Sequence, residues 1–184
     1  MSQKHPIISV IGSSGAGTST VKHTFEQIFR RENVDAVSIE GDAFHKYDRE
    51  NMKRELEKRT GVGDSTFSHF SFDANILEDL EAVFKNYGET GTGKTRNYVH
   101  SIEEAELFGV APGKFTEWRD IEVGSDLLFY EGLHGAVVNE DVNLAKYADL
   151  KIGVVPVTNL EWIQKIHRDR ATRGYSTEAV TDTI

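Results

Sequence analysis

Residues 7–11 form a short apolar, β-branched run, and the next six, Gly12-Ser-Ser-Gly-Ala-Gly17, contain three glycines. The run predicts a buried strand. From Ser19 onward the periodicity predicts a helix over 20–31, with Val21, Phe25, Ile28 and Phe29 on its inward face. Strand, glycine-rich turn and helix, in that order, build an anion cradle. Glycines let consecutive N–H groups turn inward, and the helix N-terminus adds partial positive charge where phosphates sit. The spacing Gly-x-x-x-x-Gly-Lys-Ser/Thr is met at Gly12, Gly17 and Ser19, but Thr18 stands in the lysine position. An ordinary strand–helix turn seldom needs so many small residues in a row. Gly12, Ser13, Ser14, Gly15, Ala16, Gly17, Thr18, Ser19 and Thr20 are therefore the candidate nucleotide-binding set, with Ser19 a candidate metal-ligating hydroxyl.

At 184 residues the chain reads as a single α/β domain, residues 1–184, with length enough for a real core. Its net charge of −9 argues against nucleic acid as a partner, since binding a phosphate backbone takes a broad basic surface. Small anionic substrates need only a local basic cluster and stay open. The absence of cysteine excludes disulfides, thiolate metal sites and thiol switches. No apolar run approaches the ~18 residues of a membrane span, and Met-Ser-Gln-Lys-His has no signal-peptide character. The expectation is a soluble cytoplasmic protein without a membrane partner. A helix begins to form over 177–184, and the sequence stops inside it, which reads as a piece of a longer protein.

Residues 34–39 alternate into a second strand, expected to complete a βαβ unit with a parallel pairing. Ligands in open α/β sheets lie at the carboxyl ends of the strands, which puts Asp42 beside the phosphate loop. There a carboxylate can take the proton of an attacking hydroxyl; a helix cap is the competing reading. His45, Arg49 and Lys53 follow at spacings of four, one face of a helix if the segment is helical. Such a face suits a substrate phosphate, or else is a solvated surface with Glu50–Arg54 and Lys53–Glu57 pairs.

Residues 60–73 read as a loop and 75–87 as an amphipathic helix with Ile76, Leu77, Leu80, Val83 and Phe84 inward. Residues 88–95, Gly-Glu-Thr-Gly-Thr-Gly-Lys-Thr, match the phosphate-loop pattern in full. Context rejects that match: a helix precedes it, and an extended stretch containing His100 follows where the cradle needs a helix N-terminus. Residues 102–125 show no clear periodic element beyond a short strand at 115–118. Residues 126–132 predict a buried strand ending in Glu131, placed to hold a Mg²⁺ that bridges phosphates; a strand-end acid in water is the plainer reading. A short helix over 139–147 and a strand over 148–157 come next. A helix over 159–173 then carries Lys165, Arg168, Arg170 and Arg173. Four cations in nine residues suggest an anion-gripping lid, with complement to the helix C-terminus as the alternative. Lys165 is the candidate for the charge missing at Thr18.

Together, Gly12–Thr20, Glu40-Gly-Asp-Ala-Phe-His45, Tyr98-Val-His100, Tyr130-Glu-Gly-Leu-His134 and Lys165-Ile-His-Arg-Asp-Arg-Ala-Thr-Arg-Gly174 resemble the phosphoribulokinase family, proteobacterial branch. The resemblance covers essentially the whole chain. It implies a P-loop kinase fold like that of nucleoside-monophosphate kinases, a mostly parallel sheet flanked by helices. It also implies transfer of the γ-phosphate of MgATP to the 1-hydroxyl of ribulose 5-phosphate. By the same resemblance Asp42 is the catalytic base, Glu131 a second acid near the metal, and Lys165, Asp169, Arg168 and Arg173 a lid and active-site cluster. Asp42, Glu131 and Ser19 become candidate metal contacts, and His45, Arg49, Lys53 and His100 sugar-phosphate contacts. Arg168 and Arg173 join the substrate-binding set. A homo-oligomer responding to NADH and AMP is likewise implied. A uridine- or pantothenate-type kinase and a non-catalytic nucleotide-binding module are the rival expectations. The first has no need of the 45/49/53 cluster; the missing loop lysine favours the second, and the presence of both Asp42 and Glu131 opposes it.

Overall fold

A computed structural model describes residues 4–64, 66–173 and 176–181, with the side chains of 172, 173 and 179 outside the description. Strand β1 is Ile7–Ile11 and helix α1 is Thr18–Glu32. They are followed by β2 at Ala36–Glu40, a 3-10 turn at Gly41–Phe44 and α2 at Arg49–Gly61. Next come α3 at Leu77–Thr90, β3 at Lys94–Thr95, α4 at Ile102–Phe108, β4 at Arg119–Asp120 and β5 at Leu127–Gly132. Strand β6 is Leu150–Gly153, α5 is Thr158–Arg173 and α6 is Thr177–Thr181.

The main sheet is parallel throughout, in the order β2-β5-β1-β6. The expected direct pairing of β1 with β2 does not occur, because β5 is inserted between them. That insertion is what puts the acid of β5 next to the glycine loop that follows β1. The alternation of β5 explains its place: Leu128 and Tyr130 face α3, packing with Ile7, Ile39, Phe44, Leu80, Phe84 and Tyr87. Leu127 and Phe129 face the other way, against Val21, Phe25 and Phe29 of α1. A strand covered on both faces reads as a continuous apolar run, as this one does. Phe84 is fully buried, so Phe84→Ala would cost about 3–5 kcal/mol.

Several local expectations change. Ile28 is 37% exposed, because the inward stripe of α1 is carried by Val21, Phe25 and Phe29 alone. Helix α4 was not legible as a periodic element: it has only about two turns and no buried residue. Its signal was the start, where the Ser101 side chain accepts from the Glu104 N–H while Glu104 reaches back to the His100 N–H. The helix expected over 139–147 is only a 3-10 turn, Leu144–Lys146, capped by Asn143. The strand expected over 148–157 stops at Gly153. Phe115 forms an isolated bridge with Tyr98, and the strand near it is Arg119–Asp120 rather than 115–118. Residues 182–184, the end of the last expected helix, lie outside the described residues.

Candidate functional site

The glycine loop is pinned at its start by the Gly12 N–H, which donates to the Gly132 carbonyl at 3.3 Å, and it turns through the Ala16 N–H to Ser13 carbonyl bond. Gly15 and Gly17 both take φ near +97°, where side chains other than glycine are strained. A Cβ at Gly12 would stand 2.9 Å from the Val154 carbonyl oxygen, whereas one at Gly17 would meet nothing within 4 Å. The space over Gly17 is therefore open, directly at the N-terminus of α1. Ser19 and Thr20 are exposed there, and Thr18 is buried.

Two acids lie at the same end of the sheet as this loop, Asp42 just past β2 and Glu131 near the end of β5. The side chain of Asp42 is 44% exposed. His45 Nε2 lies 3.2 Å from Oδ1 and His100 Nε2 lies 3.2 Å from Oδ2. Burial pushes the Asp42 carboxyl up, but the hydrogen bonds and charge of the two histidines outweigh it and hold it well below the usual range. His45 moves the opposite way. Burial lowers it, and the bonds to Asp42 and Asn75 raise it further than burial lowers it. Glu131, half-buried at the end of β5, is raised by burial; the Thr18 hydroxyl works against this, and the charges of Glu40 and Asp42 add to it. Glu40 and Glu131 are register partners across β2 and β5, which is why they crowd. Lys22 answers part of this charge by pairing with Glu40.

His45, Arg49 and Lys53 do not share a helix face. Asp48 accepts from the Asn51 N–H and starts α2 at Arg49, so His45 is left in extended backbone at the end of the 3-10 turn. Arg49 reaches the site indirectly, donating to the His100 carbonyl at 3.3 Å. Lys53 lies one turn further along α2 and is exposed, and the Glu50–Arg54 pair forms. Two residues were missed in the sequence. Asn75 Oδ1 meets His45 Nδ1 at 2.8 Å, with its amide nitrogen bonded to the His69 and Ser71 carbonyls. Arg96 bonds the carbonyls of Ala43 and His45. Neither stands in a motif, so only the fold brings them in.

Helix α5 lies against the loop. The Ser13 hydroxyl bonds Glu161, Arg168 donates to the Ser14 hydroxyl at 3.0 Å, and a Cβ at Gly15 would stand 3.1 Å from Lys165 Cβ. Lys165 is 7% exposed, its ammonium 5.3 Å from the centre of the Phe70 ring, whose carbonyl is held by His134 at 3.1 Å. Asp169, also buried, accepts from Arg168 at 2.8 Å. The side chain of Arg173 lies outside the described residues. Lys151 is spent on the Ala145 and Ala148 carbonyls, and Lys94 pairs with Asp120 at 3.7 Å across the antiparallel β3–β4 pair. Residues 88–95 end α3 and enter β3, so no helix follows that loop.

Among the described residues no three carboxylate or imidazole groups converge to hold a metal by themselves. A phosphate-bridging Mg²⁺ needs only one or two carboxylates, its other positions going to phosphates and water. The crowded Glu131, with its raised carboxyl, and the exposed Ser19 hydroxyl fit that demand. Asp42 fits it less well, since both its oxygens are engaged by histidines.

The profile of the Phosphoribulokinase / Uridine kinase family matches residues 7–184. The chain is 73% identical over 184 residues to phosphoribulokinase 1 of Cereibacter sphaeroides and 66% identical to the phosphoribulokinase of Nitrobacter vulgaris. In both cases all of this chain aligns with 63% of the relative, so it spans a little under two thirds of their length. The solved phosphoribulokinase from Rhodobacter spheroides superposes with a TM-score of 0.84 at 70% identity, covering 98% of this chain and 61% of that one. A possible uridine kinase from Bacillus stearothermophilus shares the fold at TM-score 0.60 and 13% identity, over 89% of this chain and 78% of its own. A mostly parallel sheet, a glycine loop under the N-terminus of α1 and a family match running from β1 onward lead to one conclusion: the chain belongs to the phosphoribulokinase / uridine kinase family.

Proposed function

We propose that this chain, as one P-loop kinase domain, carries the phosphoryl-transfer site of a phosphoribulokinase. It would move the γ-phosphoryl group of MgATP to the 1-hydroxyl of ribulose 5-phosphate, giving ribulose 1,5-bisphosphate and ADP in carbon dioxide fixation. The carrying observation is the Asp42 carboxylate just past the end of β2, held ionised by His45 and His100, each 3.2 Å from one of its oxygens.

The acceptor oxygen forms its bond to the γ-phosphorus, the bond from that phosphorus to the β,γ-bridging oxygen breaks, and the proton passes to Asp42. A carboxylate held so low is in the right protonation state but is a weak base. His45 and His100 would then have a second use. An acceptor phosphate that draws their N–H groups away relieves Asp42 and raises its basicity. Mg²⁺, held by Glu131 and Ser19, would neutralise charge on the phosphates. The ammonium of Lys165, with Arg168 and Arg173 on the same helix, supplies the cation that Thr18 lacks, and Asp169 holds Arg168 in place.

A uridine-type acceptor has no phosphate to meet the N–H donors of His45, His100 and Arg49, and this favours the sugar phosphate. No helix of the described residues is long and apolar enough to cross a membrane. The family resemblance also supports a homo-oligomer with NADH and AMP as effectors. The test is ADP release by the full-length protein, coupled to NADH oxidation, with ribulose 5-phosphate, uridine or no acceptor. Release that depends on ribulose 5-phosphate is expected. Release that depends on uridine, or that needs no acceptor, would overturn the proposal.

A further inference from the structure

Asp42 is gripped by histidines from two separate segments. His45 belongs to the turn after β2, and His100 lies five residues beyond β3. For both imidazoles to reach one carboxylate at 3.2 Å, the two segments must keep a fixed offset. Tyr98 meets His45 edge-on at 6.1 Å, and the residue that joins the two segments by hydrogen bonds is Arg96. Its Nε donates to the Ala43 carbonyl and its Nη2 to the His45 carbonyl, each at 2.8 Å. The carbonyl between them, of Phe44, accepts from the Ile76 N–H at 2.9 Å, so three successive carbonyls after Asp42 are fixed.

The guanidinium is itself held. It stacks 3.7 Å from the centre of the Phe115 ring and 4.6 Å from that of Trp118. Trp118 in turn meets Phe44 edge-on, closing the clamp on the same turn. The segment running on from Arg96 is tied down as well: the Asn97 N–H bonds the Thr116 hydroxyl, and the Val99 N–H bonds the Lys114 carbonyl. Arg96 and His100 therefore move as one piece. A planar fork is the group suited to bridging two carbonyls, and an ammonium cannot reproduce that spacing.

We infer that Arg96 is a positioning residue for phosphoryl transfer, setting the offset between the two histidine-bearing segments and, through it, the aim of the Asp42 carboxylate. This rests on the proposed role of Asp42 as the base. Arg96 hydrogen-bonds the main-chain carbonyls beside Asp42, and its charge also bears on His45, lowering it.

The test uses Arg96→Lys in the full-length protein. Turnover should fall by about tenfold to a hundredfold, the cost of a misplaced catalytic group, while KM for ATP stays within about twofold. Combined with Asp42→Asn, the second change should add almost nothing, because both act on one function. Turnover equal to the parent, or losses that multiply, would overturn the inference. A readout without activity separates it from the base role: the ring ¹⁵N signals of His45 and His100 should both shift in Arg96→Lys. If Asp42→Asn turns over normally, the base role fails, and these signals alone decide whether Arg96 sets the offset; unmoved signals overturn it. Should Arg96→Lys not fold, Phe115→Leu, which loosens the stack and spares the carbonyl bonds, must give the same pattern at smaller size.

Discussion

Thr18, the first residue of α1, sets its hydroxyl toward Glu131 near the end of β5, and its effect is to lower that carboxyl. In the position where the general phosphate-loop pattern has a lysine, this chain has a hydrogen-bond donor that serves an acid. The acid is one that burial and two neighbouring carboxylates raise, and Thr18, with the charge of Lys22, offsets only part of that rise.

Thr18→Val should therefore let Glu131 rise further. A hydrogen bond to a charged group is worth about 1.5–3 kcal/mol, which converts to a loss of roughly ten- to hundredfold in turnover on the acid limb, where Glu131 is no longer fully ionised. The acid limb of the pH–rate profile should move to higher pH, since more base is needed to ionise a raised carboxyl. Steady-state kcat measured across pH checks both effects, and an unmoved limb contradicts them.

Lys165 packs beside Gly15 and over Phe70, which places the start of the basic cluster at the loop. Lys165→Met keeps the stem and removes the charge. Turnover should drop by about 10²–10³-fold, as for the loss of one transition-state charge contact, with ATP still bound. Thr18→Lys in that background should restore part of it. Normal turnover in Lys165→Met would pass the role to Arg168 or Arg173.

Much of this was legible because the loop, the strand-end acids and the basic helix are each local in sequence. β1 was expected over the residues it occupies, and the rejection of residues 88–95 rested on context that the structure bears out. What was not legible depends on long-range placement. The spacing of His45, Arg49 and Lys53 was read as helical, but the cap at Asp48 was overlooked, and it cuts His45 out of the helix. The position of β5 between β1 and β2 is a property of topology, invisible to any window of sequence. Asn75 and Arg96 act through an amide and a pair of carbonyls, contacts that exist only after 30 and 51 residues of intervening chain have folded.

His45 gives a stability prediction with a definite sign. Its folded value lies above the ordinary 6.5, so the stabilisation from its bonds to Asp42 and Asn75 is complete below 6.5 and is lost as pH rises through the folded value. Asp42 runs the other way, from an ordinary 3.8 to a lower folded value, so its share survives until pH falls through that lower value. The difference in Tm between the protein and His45→Gln should be greatest near pH 6 and shrink by about pH 9. A difference that grows with pH would contradict the pairing.

Asp42 as the base that two histidines hold ionised is tested most directly by the turnover of Asp42→Asn in the full-length protein, with ATP affinity measured alongside. Turnover with ribulose 5-phosphate should fall by about 10²-fold or more, the size of general-base loss, while ATP binds as before. A kcat near that of the parent would leave Asp42 as no more than an anchor for His45 and His100, and would contradict its assignment as the base.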